Sequence, residues 1–145
     1  MQAINENFWV SGQITEEHFN DAKEQGFTLI INNRPDHEEP GILSVDDAEK
    51  LASNYDINYL HLPMVNGQPL PEDLLPKMQN ALEQQSISKG KTLAHCRTGT
   101  RSTFLWGCIQ ITEKKLTTEE VISAASNAGI NLVGFMPFLQ HLESE

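Results

Sequence analysis

The chain has 145 residues and a net charge of -10, from 20 acidic and 10 basic side chains. That length is one domain's worth, so a single domain over residues 1–145 is expected, with a core that needs neither disulfide nor structural metal. The acidic balance speaks against a general nucleic-acid or membrane-surface binder, so any anionic ligand requires positive potential gathered at one place. The two cysteines, Cys96 and Cys108, form no C-x-x-C pair and no zinc-type cluster, and nothing implies a cofactor. The first residues, MQAINENFWVSGQ, lack a basic leader and an apolar run, and no stretch is long enough to span a membrane. A reducing, cytoplasmic setting is the expectation. The oligomeric state is left open.

In chain order, "NFWVSG" predicts a short strand around Phe8 to Val10, and Thr15 caps a helix ending before Gly26. "FTLIIN", Phe27 to Asn32, is a nearly unbroken apolar run, the mark of a strand covered on both faces. The polar stretch NRPDHEEPG reads as a solvated loop. Ser44, with Asp47 three residues on, opens a helix through about Tyr55. "INYLHL" is the next strand, closed by Pro63, and a helix with Pro76 near its first turn follows to about Ser86. "KTLAH" is a strand that delivers the chain to Cys96, and "STFLWGCIQI" continues as a buried helix carrying Cys108 in the core. Thr117 and Glu120 cap a helix ending at Gly129, and a last one lies near Pro137 to Leu142. Alternation of this kind predicts an α/β three-layer sandwich with a mostly parallel sheet of about four to five strands. Its ligand loops should leave the carboxyl ends of the strands.

Cys96 stands at such an end, and "HCRTGTRS" places two of the chain's three arginines, Arg97 and Arg101, beside it. A helix N-terminus and nearby guanidinium groups both favour the thiolate, and His95 adds to them if it is charged. Gly99 allows the turn that aims the amides of Arg97, Thr98, Gly99 and Thr100 inward as an anion cradle. Arg101 offers a planar fork for two oxygens. Ser102 would donate to the sulfur and ease its departure in a second step. These residue types in this order point to covalent catalysis on a phosphate- or sulfur-bearing anion. Arg34, in the loop leaving the second predicted strand, is either a third guanidinium at the pocket rim or a surface arginine paired with Asp36 or Glu38. The histidines His18, His37, His61 and His141 show no metal-ligand spacing and read as surface or edge residues.

The loop resembles those of two families. Cysteine-dependent protein phosphatases, the dual-specificity group included, carry H-C-x(5)-R-[ST]; rhodanese-type sulfurtransferases carry a loop close to C-R-x-G-x-R-S. His95 matches the first pattern, and the four residues between Cys96 and Arg101 match the second. Over nearly its whole length, from "FWVSGQIT" through "IINNRPDHEEPG" and "HLPM" to "HCRTGTRSTFLW", the chain is similar to a bacterial family: the phosphatase-like domain of β-lactamase-hydrolase-like proteins. Related domains occur fused to metallo-β-lactamase-type enzymes linked with sulfide metabolism. The resemblance implies a cysteine-phosphatase-like fold and hydrolysis of a phosphomonoester through a thiophosphate on Cys96. Arg101 and the loop amides would then hold the phosphoryl oxygens. Two departures keep sulfur transfer as the alternative. One loop residue is missing, and "PMVNGQPLPEDLL" carries no acid within its loop to protonate a leaving group. Candidate acids are Glu72 and Asp73 at the following helix, or Asp36, Glu38 and Glu39. A non-catalytic anion-binding module is the third reading.

Overall fold

The computed structural model describes residues 1–145. Its sheet is built from β1 (Gln2–Ala3), β2 (Phe8–Ser11), β3 (Phe27–Asn32), β4 (Asn58–His61) and β5 (Lys91–His95), in the order β1-β2-β5-β3-β4. Every pairing is parallel except β1 with β2. The predicted α/β sandwich is what forms. The two-residue strand β1 is the element that patterning could not signal, because two residues carry no period.

Six helices cover the sheet: α1 (Glu16–Glu24), α2 (Val45–Asn54), α3 (Leu74–Ser88), α4 (Thr100–Thr112), α5 (Thr118–Asn127) and α6 (Met136–Glu143). On one face, Phe19 and Ala22 of α1 and Ala48 and Ala52 of α2 pack on Phe27, Ile30 and Leu93. On the other, a larger core joins Val10, Leu29, Ile31 and Ala94 to Met78 of α3, Leu105 and Ile109 of α4, and Val121 and Leu139. Successive strand residues point to opposite faces, which is why Ile30 and Ile31 enter different cores. The apolar run from Phe27 is thus a strand buried on both sides, while α4 is buried almost all round. Gly107 permits the closest helix approach, since a Cβ there would lie 2.5 Å from Val121 Cγ1.

The local signals behind these boundaries are visible in the caps. Ser44 Oγ accepts from the Asp47 amide, and Thr117 with Glu120 forms a reciprocal box that satisfies two otherwise unpaired donors. Thr15 does the same with His18 in the third position. The parallel register aligns Asn32 of β3 with His95 of β5 and with His61 of β4. The loops leaving these strands therefore open on one edge of the sheet, where open α/β sheets bind ligands.

Candidate active site

Cys96 is the first residue beyond β5, and the chain between it and α4 is short. Gly99, with φ 93°, sits at the N-cap of α4 in the left-handed region that glycine enters without strain. The turn brings the Gly99 amide to 3.1 Å from Cys96 Sγ. The backbone N–H groups of Arg97, Thr98, Thr100, Arg101 and Ser102 have no acceptor in the protein. A run of free amides at a helix N-terminus, just after a thiol, has the donor pattern of an anion cradle. Carbonyls are turned outward to make it. Arg97 O accepts from Gln13 N at 3.2 Å, beside Gly12, where a Cβ would come within 2.9 Å of that oxygen. Gly99 in turn rests against Ser11 O and Ile130 Cδ1.

Arg101 is buried, 4% exposed, and its guanidinium is held end-on. Nη1 donates to Glu38 Oε2 at 2.9 Å and to Met64 O at 2.8 Å, and Nη2 donates to Glu38 Oε1 at 2.7 Å. The Nε–H and the second Nη2–H are left over, side by side on one edge of the plane. Glu38 therefore aims the arginine and leaves its side fork free for two oxygens of a ligand.

Arg34 makes the pair with Glu38 that one sequence reading expects, but as a buried residue. It is neither on the rim nor on the surface, being 2% exposed. Its Nε donates to Glu38 Oε1 at 2.7 Å, Nη2 to Glu39 Oε1 at 2.7 Å and Nη1 to Gln13 Oε1 at 3.2 Å. A buried guanidinium persists only when its charge is met, and here two carboxylates meet it while each nitrogen donates one hydrogen bond. The DHEEPG segment is exposed, as a solvated loop should be, yet Glu38 within it bridges both arginines. Hydrogen bonds from Arg101, helped by Arg34 and opposed by desolvation, hold the Glu38 carboxyl at about 2. Glu38 is consequently a fixed anion and carries no proton to give at neutral pH. Glu39 is lowered too, by its bonds to Arg34.

Two further expectations are corrected. His95 adds no charge: it is buried, and desolvation pushes its pKa down to about 4. Its Nδ1 has no hydrogen-bond partner. Ser102 does not donate to the sulfur, because its Oγ donates to Asn33 Oδ1 at 2.8 Å. Arg97 and Thr98 are exposed at the mouth, and the Thr98 and Thr100 hydroxyls lie 3.0 Å apart. Among the candidate acids, Asp73 pairs with Lys77 at 2.8 Å, which lowers it, and Asp36 accepts from Val45 N. Glu72 is exposed beside them. No group of side chains assembles a metal site.

Asn33 is the functional-site residue that sequence reasoning missed. It makes contacts with residues far away in sequence, and the one local signal was a pair of asparagines closing an otherwise apolar strand.

The chain has relatives both in sequence and in fold. The family model of the beta-lactamase hydrolase-like protein, phosphatase-like domain, matches residues 1–113. A beta-lactamase hydrolase-like protein of Xylella fastidiosa is 29% identical over 129 residues, covering 89% of this chain but 29% of its own length. The chain therefore spans under a third of that relative. A crystal structure of a Neisseria meningitidis protein assigned as a phosphatase superposes with TM-score 0.79 at 26% identity, covering 97% of this chain and 96% of the other. Tk-PTP in its active form gives TM-score 0.78 at 19% identity, over 99% and 96% of the two chains, a likeness of fold.

Proposed function

The chain belongs to the phosphatase-like domain family of the beta-lactamase hydrolase-like proteins, and from that premise we propose that it is a cysteine-dependent phosphatase acting on a phosphomonoester. The Cys96 thiolate attacks phosphorus as the ester P–O bond breaks, the leaving oxygen takes a proton from solvent water, and a thiophosphate forms. Water then adds to phosphorus, the S–P bond breaks, and inorganic phosphate and the thiolate are released. A phosphoryl group in transfer spreads charge over three equatorial oxygens. The free amides of Arg97, Thr98, Thr100, Arg101 and Ser102, with the Arg101 side fork, suit that pattern. The observation that carries the reading is this fork, left open by Glu38 in the first turn of the helix that follows a cysteine already receiving an amide hydrogen.

The expected partner is a phosphate-bearing anion, held without metal or cofactor. No helix is long and apolar enough to cross a membrane, and both thiols are free, which fits a reducing, cytoplasmic setting. One domain over residues 1–145 is the unit proposed to act. A second reading, sulfur transfer through a persulfide on Cys96, is favoured by one observation: only four residues separate Cys96 from Arg101.

The deciding experiment offers the purified protein p-nitrophenyl phosphate and, separately, thiosulfate with cyanide, each beside Cys96→Ser. Phosphate release that disappears in the variant is expected. Thiocyanate formation without phosphate release would replace the proposal with sulfur transfer. Silence in both, with phosphate still bound, would leave an anion-binding module.

A further inference from the structure

Asn33 lies immediately after β3 and is fully buried at 0% exposure, in a site whose chemistry belongs to residues far along the chain. A buried carboxamide is costly unless its donors and acceptor are used, and every one of them is. The backbone N–H donates to His95 O at 2.7 Å, and the backbone carbonyl accepts from Met64 N at 3.0 Å. Nδ2 donates to Leu62 O at 2.9 Å and faces Met78 Sδ at 3.9 Å. Oδ1 accepts the Ser102 hydroxyl at 2.8 Å. Two lines run from this residue into the site. One ends on Ser102, in the first turn of α4. The other passes through the Met64 peptide, whose carbonyl takes the Arg101 Nη1 hydrogen at 2.8 Å.

We propose that Asn33 is a positioning residue, holding Ser102 by its side chain and aiming Arg101 through the Met64 peptide, so that cradle and fork face one ligand. The proposal rests on the phosphatase reading above. Asn33 reaches no ligand itself. Its carboxamide keeps the Ser102 proton turned toward β3, so that Ser102 acts as a strut of the first helical turn in this state. The backbone bond to His95 O fixes the β3 exit against the residue preceding Cys96. Loss of the carboxamide frees Ser102 and the Leu62–Met64 segment together, and a displacement of about 1 Å at a reacting group costs on the order of 100-fold.

The test compares wild type, Asn33→Ala, Ser102→Ala and the double variant, with kcat and KM for p-nitrophenyl phosphate and the Kd of inorganic phosphate. Asn33→Ala is expected to lower kcat about 10- to 100-fold with a smaller change in KM. Ser102→Ala should cost much less in the Asn33→Ala background than alone, since residues acting through one contact are not additive. Wild-type kcat in Asn33→Ala, or strictly additive losses, would overturn the proposal. If Asn33→Ala does not fold by circular dichroism, Asn33→Asp decides. It keeps the shape and the acceptor for Ser102 but sets a carboxyl against Leu62 O. Its kcat should fall relative to wild type as pH rises and that carboxyl ionises; a ratio constant across pH would refute the idea. Should wild type hydrolyse no phosphomonoester, the phosphatase reading fails, and the same cycle read on phosphate Kd decides the role of Asn33.

Discussion

Cys96 and Cys108 lie on one strand–loop–helix unit and are equally hidden, at 1% and 0% exposure. Burial does not tell them apart; position on α4 does. Cys108 lies mid-helix in the large core, where the amides are spent on the helix itself, and desolvation pushes its thiol up to about 12. Cys96 lies ahead of the first turn, where the amides have no partners within the helix, and one of them already points at the sulfur. Around Cys96 several backbone amides are left without acceptors; around Cys108 the neighbours are apolar. What separates the two thiols is their place relative to the start of the helix.

The comparison breaks most sharply at Arg101. Arg101→Lys replaces a planar fork by a point charge that cannot hold Glu38 and Met64 O at one end while gripping two ligand oxygens on its side. A loss of roughly 100- to 1,000-fold in kcat is expected, the usual effect of removing a donor aimed at transition-state charge. Cys108→Ala should leave kcat within a few-fold and cost about 1 kcal/mol in denaturant unfolding. Steady-state kinetics on both variants checks this. An Arg101→Lys enzyme within a few-fold of wild type would mean that Cys96 and Cys108 differ for some other reason.

Two glycines sharpen it further, one beside each thiol's neighbourhood. Gly12 faces the Arg97 carbonyl and Gly107 faces Val121, both without room for a methyl group. In Gly12→Ala the Arg97 peptide must turn, which swings the next amide out of the cradle. Phosphate affinity should drop by about 10-fold, the value of one hydrogen bond to a charged group. In Gly107→Ala only core packing is strained, and unfolding stability should fall by about 1–3 kcal/mol with phosphate Kd unchanged. Calorimetric titration and urea melts separate the two. If both variants lose stability alone, Gly12 has no special tie to the cradle.

The same contrast explains what could be read in advance. The Cys96 loop was legible because its parts are neighbours in sequence: strand end, thiol, glycine, arginine, helix. The strand from Phe27 to Asn32 was legible because apolar cores lie on both faces, so Phe27, Leu29, Ile30 and Ile31 had to be apolar. Glu38 and Asn33 were not legible, since their partners Arg101 and Ser102 lie 63 and 69 residues away. Nothing local distinguishes Glu38 from Glu39 in a loop that looks solvated. The pairing of Arg34 with Glu38 was legible at a spacing of four, but its burial was not, because that is decided by where Gln13, Glu38 and Glu39 come together. The charge of His95 was left open by the sequence, because its burial depends on how completely β2 and β3 flank β5.

That burial has a signature in acid. The folded pKa of His95, about 4, lies below its ordinary 6.5, so the unfolded chain takes the proton first. Its neutral burial therefore contributes full stability above about pH 6.5, and that contribution is lost as pH falls toward 4. Glu38 acts in a lower window: its folded value of about 2, against the ordinary 4.5, gives stability present above pH 4.5 and lost as pH falls toward 2. Between pH 6.5 and 4.5 the decline is thus attributed to the histidine beside Cys96, and below that window both groups act. Urea unfolding at pH 7, 6 and 5 should show stability falling by about 1 kcal/mol per pH unit, close to the limit for one proton. His95→Asn should flatten that upper slope, because the variant has nothing to protonate, and leave the decline below pH 4.5 in place. An equal slope in both proteins would show that His95 is reached by water, and that the strand end beneath Cys96 is less tightly sealed than the helix around Cys108.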